Sequence, residues 1–410
     1  MKTFEFNKVK SKDRINQLTK WALLILAAFA VGILCGAVGG SFARCISFVT
    51  DLRSRNPWLI FLLPVGGLAS VGLYKLTKTE GLGTDRALES VQGIQNVPIL
   101  LVPVIFVASV ITHLFGGSAG KEGAALQLGS GIADFVSKTI KAGKRTHAVI
   151  TICGMAALFS AVFGTPVGAC VFALEVAVIG RINAVAVFPA FISSLTAYFV
   201  STAIGVHPER FHVETVPDVS FISLLKTFGI AVIVSLAAYF FCHTLHRSEK
   251  LFKQIFKNPF IRIFVGGCAV IVLTLIFGTD YNGGGIFVIE RIFEEGTVRP
   301  EAFLLKIIFT VITVSAGYKG GEIVPSFFIG ATLGAALSSV FGLPIEFCTA
   351  IGMTVFFGGV TNCPIASAVL AVELFGTNGF ILFAAAAFSS RVFAGKVSLY
   401  HKQKSKELKC

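Results

Sequence analysis

The chain has 410 residues, 54% of them apolar and only 14% charged, against the roughly 25% charged residues of an ordinary soluble domain. That composition excludes a water-soluble enzyme. The formal charge of +13 invites a nucleic-acid reading, but the Lys and Arg gather in Lys2, Lys8, Lys10, Lys12 and Arg14, in 138–145, in 247–262 and in 396–409. The positive-inside rule assigns such stretches to the cytoplasmic side of a membrane.

In chain order, stretches free of Asp, Glu, Lys and Arg occur at 21–43, 56–74, 91–120, 146–174, 182–208, 227–246, 323–345, 347–372 and 374–390. A membrane helix needs about 20 mostly apolar residues, and lipid tolerates only helices or closed barrels. These runs are too long and continuous for barrel strands, so the fold class is an all-α polytopic membrane protein. Trp21 to Ala43 is too long for the apolar core of a signal peptide and reads as the first span. The segment 206–220, with two Glu, one Asp and a single Arg, falls on the outside, and both termini fall in the cytoplasm. The expected organisation is a basic tail at 1–20, one transmembrane domain at 21–400 and a basic tail at 401–410, with nothing left over for a second domain. Nine scattered cysteines without a CxxC pair indicate neither a zinc site nor a disulfide framework.

A weak internal repeat divides the domain into halves at about 21–205 and 221–400. Thr165-Pro166-Val167-Gly168-Ala169, leading to Ala173-Leu174-Glu175, returns as Cys363-Pro364-Ile365-Ala366-Ser367, leading to Ala371-Val372-Glu373. Ser118-Ala119-Gly120-Lys121-Glu122-Gly123 returns as Ser315-Ala316-Gly317-Tyr318-Lys319-Gly320-Gly321-Glu322, with slightly shifted spacing. Repeats of this size suggest a transporter of two inverted halves whose interrupted helices meet near the midplane. Glycines mark the expected breaks: Gly81-Leu82-Gly83, Gly116-Gly117, Gly283-Gly284-Gly285, Gly320-Gly321 and Gly358-Gly359.

A broken helix exposes unpaired N–H groups and the positive end of its dipole, which favours an anion. Three Gly-rich turns feed apolar stretches in this way: Gly81-Leu82-Gly83-Thr84-Asp85, Gly120-Lys121-Glu122-Gly123-Ala124 and Gly320-Gly321-Glu322-Ile323-Val324-Pro325. Pro325 sits where a first helical turn accepts it.

These turns resemble those of the CLC family of chloride channels and anion/proton exchangers. Gly81-Leu82-Gly83 looks like the family's Gly-Ser-Gly-Ile-Pro turn, Gly120 to Ala124 like Gly-(Arg/Lys)-Glu-Gly-x, and Gly321 to Pro325 like Gly-x-x-x-Pro. Tyr400 looks like the Tyr near the end of the membrane domain, and 153–175 is also similar. The resemblance implies a CLC-type fold of two inverted-topology repeats with broken helices and no cytoplasmic CBS domains, working as a homodimer with one pathway per subunit.

By resemblance Glu122 is the gating glutamate and proton carrier; the plainer alternative is a helix-capping carboxylate. Lys121 either raises the local positive potential or forms a structural ion pair. Three departures narrow the branch: Leu82 stands where chloride transporters carry a Ser, Val176 where exchangers carry an internal glutamate, and Glu322 where they are usually apolar. The combination is similar to the fluoride-exporting branch, although Leu82 and Val324 replace residues common there. The implied anion path takes in Gly81, Leu82, Gly83, Gly120, Lys121, Gly123, Ala124, Gly321, Ile323, Val324, Pro325 and the Tyr400 hydroxyl. Glu322 is either a second proton group or a structural carboxylate paired with Lys319. Glu175 and Glu373 read as structural or vestibule residues and His113 as a packing histidine.

The expected function is fluoride/proton exchange that exports fluoride across the plasma membrane, with a chloride/proton antiporter or a passive chloride channel as alternatives. No Ser/His/Asp set, metal-ligand spacing or phosphate loop suggests an enzyme, a metal or a cofactor, and no nucleic-acid partner is expected.

Overall fold

The computed structural model describes residues 2–179, 182–395 and 397–405; the end of the basic C-terminal tail, including Cys410, lies outside the described residues. The first half runs through α1 (Lys2–Arg55), a 3-10 turn (Pro57–Leu62), α2 (Leu63–Leu76), α3 (Thr84–Val91), α4 (Leu101–Leu114), α5 (Glu122–Thr139), α6 (Lys144–Phe163), α7 (Pro166–Val176) and α8 (Ala184–Ala203). The second half runs through α9 (Phe221–Ile255), α10 (Pro259–Phe277), α11 (Ile286–Glu295), α12 (Ala302–Ala316), α13 (Ile323–Phe341), α14 (Ile345–Thr361), α15 (Pro364–Phe375) and α16 (Phe380–Phe393). Two short strands, Val178–Ile179 and Lys404–Ser405, pair in parallel and join the end of the first half to the C-terminal segment.

Several expected spans are shorter or split. The run 91–120 holds only α4, whose 14 residues reach about 21 Å against a hydrocarbon core of about 30 Å. The run 146–174 is two helices, α6 and α7, and 347–372 is two, α14 and α15. A span that charge counting passes over, α10, carries Arg262 within its first turn and starts from an Asn258 cap, whose side chain accepts from the Phe260 amide at 2.9 Å. Gly358-Gly359 does not break a helix. Both residues lie inside α14, where they admit Ser390, Ala238 and Ala394 of neighbouring helices.

The break points recur in both halves. After α6 the chain turns through Gly164, at φ +75°, and Thr165, at φ −121° and ψ 78°, before Pro166 opens α7. After α14 it turns through Asn362, at φ +56°, and Cys363, at φ −121° and ψ 71°, before Pro364 opens α15. Proline opens each short helix without losing a hydrogen bond, and Asn is the side chain that tolerates the left-handed turn otherwise taken by Gly. Close crossings repeat as well: Gly129 of α5 lies against Gly154 of α6, and Gly330 of α13 against Gly352 of α14, with no room for a methyl group at either place.

The halves meet through two paired devices. Gly120 and Gly321 exchange both backbone hydrogen bonds, each 2.6 Å, as an antiparallel bridge. The carboxylate of Glu373 accepts from the Val167 and Gly168 amides at 3.0 and 2.6 Å, in the first turn of α7. Glu175 returns the relation, accepting from Ile365 and Ala366 at 3.4 and 2.8 Å in the first turn of α15. Each repeat thus caps a broken helix of the other with a negative charge.

Candidate anion and proton pathway

While α7 and α15 are capped by Glu373 and Glu175, the N-termini of α3, α5 and α13 come together: Thr84 Oγ1 donates to the Gly123 carbonyl at 3.5 Å, and the Gly120–Gly321 bridge joins α5 to α13. Glu122 opens α5 and Glu322 is the cap residue of α13, so the Gly120–Gly321 bridge holds the two carboxylates on opposite sides of one joint. Gly321 packs so tightly on Gly123 that a methyl group on Gly123 would stand 2.7 Å from the Gly321 Cα. Glycine is required here by close approach.

The environments of the two carboxylates differ. Glu122 is fully buried and neither of its carboxylate oxygens has a hydrogen-bond partner; the amides of Glu122 itself and of Val324 are its backbone neighbours. Val324 and Pro325 press on Gly120, where a methyl group would lie 3.1 Å from each. Glu322 instead faces a cavity of about 680 Å³, shared with Gly81, Leu82, Gly83, Asp85 and Tyr400. Lys253, Lys257 and Arg262 stand at its rim, so it opens on the face that carries the 247–262 basic stretch.

The cavity wall has an unusual polar character. Ser70, Tyr74, Gln127, Ser315 and Tyr400 all line it, and each has a buried side-chain oxygen without a partner. Buried polar atoms are nearly always paired, so these five oxygens give the cavity a polar wall. Gln127 hydrogen-bonds through Nε2 to Thr84 Oγ1 and to the Gly123 carbonyl, both at 3.3 Å, which places an amide and a hydroxyl beside Leu82. Tyr400 is 5% exposed and lines the cavity.

Other residues singled out in the sequence fall elsewhere. Lys121 pairs with Glu209 of the acidic segment at 3.2 Å, so it is an ion-pair residue. Lys319 forms no salt bridge with Glu322; its Nζ lies 4.7 Å over the Tyr74 ring. Ala124 and Ile323 are fully buried in the first turns of α5 and α13, where they contribute backbone. His113 is a packing residue whose Nδ1 meets the Ser109 carbonyl at 2.8 Å.

Two cations were missed by reading the sequence. Lys306, fully buried in α12, donates to the Tyr281 and Gly283 carbonyls at 3.0 and 2.7 Å and lies 5.0 Å over the Phe328 ring, without a carboxylate partner among the described residues. Arg53 donates to the His113 carbonyl beside the same loop. The loop 278–285 that Lys306 pins down packs on Val324 through Gly284. A lone Lys in the apolar run 302–316 was the available signal, because an intramembrane cation is costly unless it has work.

A family profile described as "Voltage gated chloride channel" matches residues 66–395. The chain belongs to that family. A chloride/fluoride channel protein of Pseudomonas syringae pv. tomato is 32% identical over 98% of this chain and 90% of its own length. The crystal structure of a CLC-type fluoride/proton antiporter superposes with a TM-score of 0.90 at 31% identity, covering 94% of this chain and 98% of that one. An H(+)/Cl(−) exchange transporter ClcA of Vibrio campbellii is 25% identical over 90% of this chain and 86% of its own length. Within this CLC fold the turns that hold Gly81 to Asp85 and Glu322 line one cavity, and the Gly120–Gly321 bridge ties the turn at 120–124 to the second of them.

Proposed function

We propose that this chain is a secondary active transporter that exchanges fluoride for protons and exports fluoride from the cell. The observation that carries the reading is the pair Glu122 and Glu322, one sealed without a partner and the other open to a polar cavity, joined by the Gly120–Gly321 bridge. Fluoride is small, basic for a halide and strongly hydrated, so it needs close, fixed donors and a protonatable partner. The amides of α3, α5 and α13 and the Tyr400 hydroxyl are the donors, and the two glutamates are the partners. The relatives named for fluoride support this choice of ion.

In the cycle, a neutral Glu122 leaves the centre to the anion and an ionised Glu122 competes for the same amides, so anion and proton move in opposite directions. Glu322 takes the proton onward to the cavity. Val176, where a chloride exchanger would carry an internal glutamate, is consistent with a proton route that stays at this joint. The basic stretches support a cytoplasmic cavity mouth and cytoplasmic termini, at the plasma membrane. The protein works as a homodimer with a pathway in each subunit and no cofactor. Its tails at 1–20 and 401–410 flank one transmembrane domain.

The test is efflux from proteoliposomes loaded with equal fluoride and chloride, read by ion-selective electrodes with pH recorded. Fluoride release with proton uptake and little chloride is expected. Chloride release with proton uptake would make it a chloride/proton antiporter, and chloride release without proton movement a passive channel.

A further inference from the structure

The cavity reaches past Glu322 to a titratable cluster that neither the repeat nor the family turns account for. Glu249, near the end of α9, and His401, directly after Tyr400, both line its mouth, with Glu249 Oε2 and His401 Nε2 4.0 Å apart. The rings of His246 and His401 stand 4.0 Å apart between centroids, and His246 Nε2 is buried without a partner. His246 lies three residues before Glu249, so helical spacing puts both on one face of α9.

We propose that Glu249, His401 and His246 form a proton-exchange cluster that passes the proton carried by Glu322 to the water at the cavity mouth. The inference rests on the fluoride/proton reading above. In the step, the Glu322 O–H bond breaks and its proton travels through water in the cavity. An O–H bond forms on Glu249 or an N–H bond on a histidine, and the proton then leaves to bulk water. The acceptor gains one positive charge while Glu322 regains its negative one, and no other reactant is consumed.

The surrounding charges suit a transient acceptor. On α9 itself Lys250 and Lys253 flank Glu249, the latter at 3.9 Å. From the C-terminal segment Lys402 is drawn off by Glu89 of α3 at 3.4 Å, and Asp85 of α3 faces His401. Arg262 of α10 and Lys319 of the α12–α13 link also face Glu249. Glu249 beside it holds the His401 imidazole above its ordinary value. Two imidazoles and a carboxylate thus stand together as proton acceptors at the cavity mouth.

The experiment compares wild type, Glu249→Gln, His401→Gln and the double variant in fluoride-loaded proteoliposomes, recording fluoride efflux and proton uptake from about pH 5 to 8. Size-exclusion elution checks that each variant folds. Slowing of both fluxes by about tenfold in the double variant, with a flattened pH profile, is expected, and Glu249→Asp should restore the profile. That loss is smaller than the roughly hundredfold cost of a proton donor touching the reacting atom, because water remains a slower route. A double variant with the wild-type rate and profile overturns the proposal, as does a uniform loss at every pH, which would mark a merely structural cluster. If wild type itself takes up no protons, the fluoride/proton reading fails first and the cluster proposal falls with it.

Discussion

Gly120 and Gly321 exchange both backbone hydrogen bonds at 2.6 Å, and this one bridge sets the distance between the two glutamates on which the proposed transport turns. The amides of both residues are used by the bridge, so neither is free to bind an anion. Their part in the path is to hold α5 and α13 together.

Gly321→Ala is therefore expected to lower stability by about 2 kcal/mol, the scale of an overpacked core site, because the added methyl would press on the backbone of Gly123 and, at 3.1 Å, on the Glu122 amide. A lowered thermal unfolding midpoint in detergent would show it. An unchanged midpoint, with unchanged transport, would mean the bridge is dispensable.

Glu122→Gln keeps the shape of a side chain that already lacks hydrogen-bond partners, so the variant should fold and elute as wild type does. It cannot ionise, and proton uptake should vanish while anion movement continues. Proton uptake at the wild-type rate would remove Glu122 from the proton path.

Replacement of Glu322 by Ile removes a carboxylate from the cavity wall and should abolish coupled fluoride efflux. Intact transport in this variant, with chloride carried in place of fluoride, would move the protein to the chloride/proton exchangers.

Glu175 and Glu373 are expected to be structural. Either one changed to Ala leaves two amides at a helix start without an acceptor and should cost about 2 kcal/mol of stability, whereas the Gln variants, which keep an oxygen, should lose less. The number of protons moved per anion should be the same in every variant that folds. A changed ratio would place these carboxylates in the transport path.

Lys306→Met leaves the Tyr281 and Gly283 carbonyls unpaired, so the loop 278–285 that packs on Val324 should exchange its amide hydrogens faster and the anion should bind more weakly. Unaltered exchange in that loop would show that Lys306 does not hold it.

Read from one end to the other, the sequence determined the solvent, the repeat and the joints. Lipid admits few folds, and long uncharged runs leave only helices, while Pro166 and Pro364 behind their left-handed turns and the Gly runs ahead of Glu122 and Glu322 are local signals that do not depend on what lies across the molecule. Charge-free windows misplaced what depends on neighbours: α10 spans despite Arg262, α4 stays short, and Gly358-Gly359 serves packing inside α14. Side-chain partners were beyond reach for the same reason. Lys121 turns to Glu209, Lys319 to Tyr74, and Glu175 and Glu373 reach across about 200 residues of chain to cap each other's helices. Only the tertiary structure decided that Glu122 is sealed, that Glu322 is open, and that the cavity below it ends at Glu249 and His401, because burial and long-range contact belong to the packed chain and not to any stretch of it.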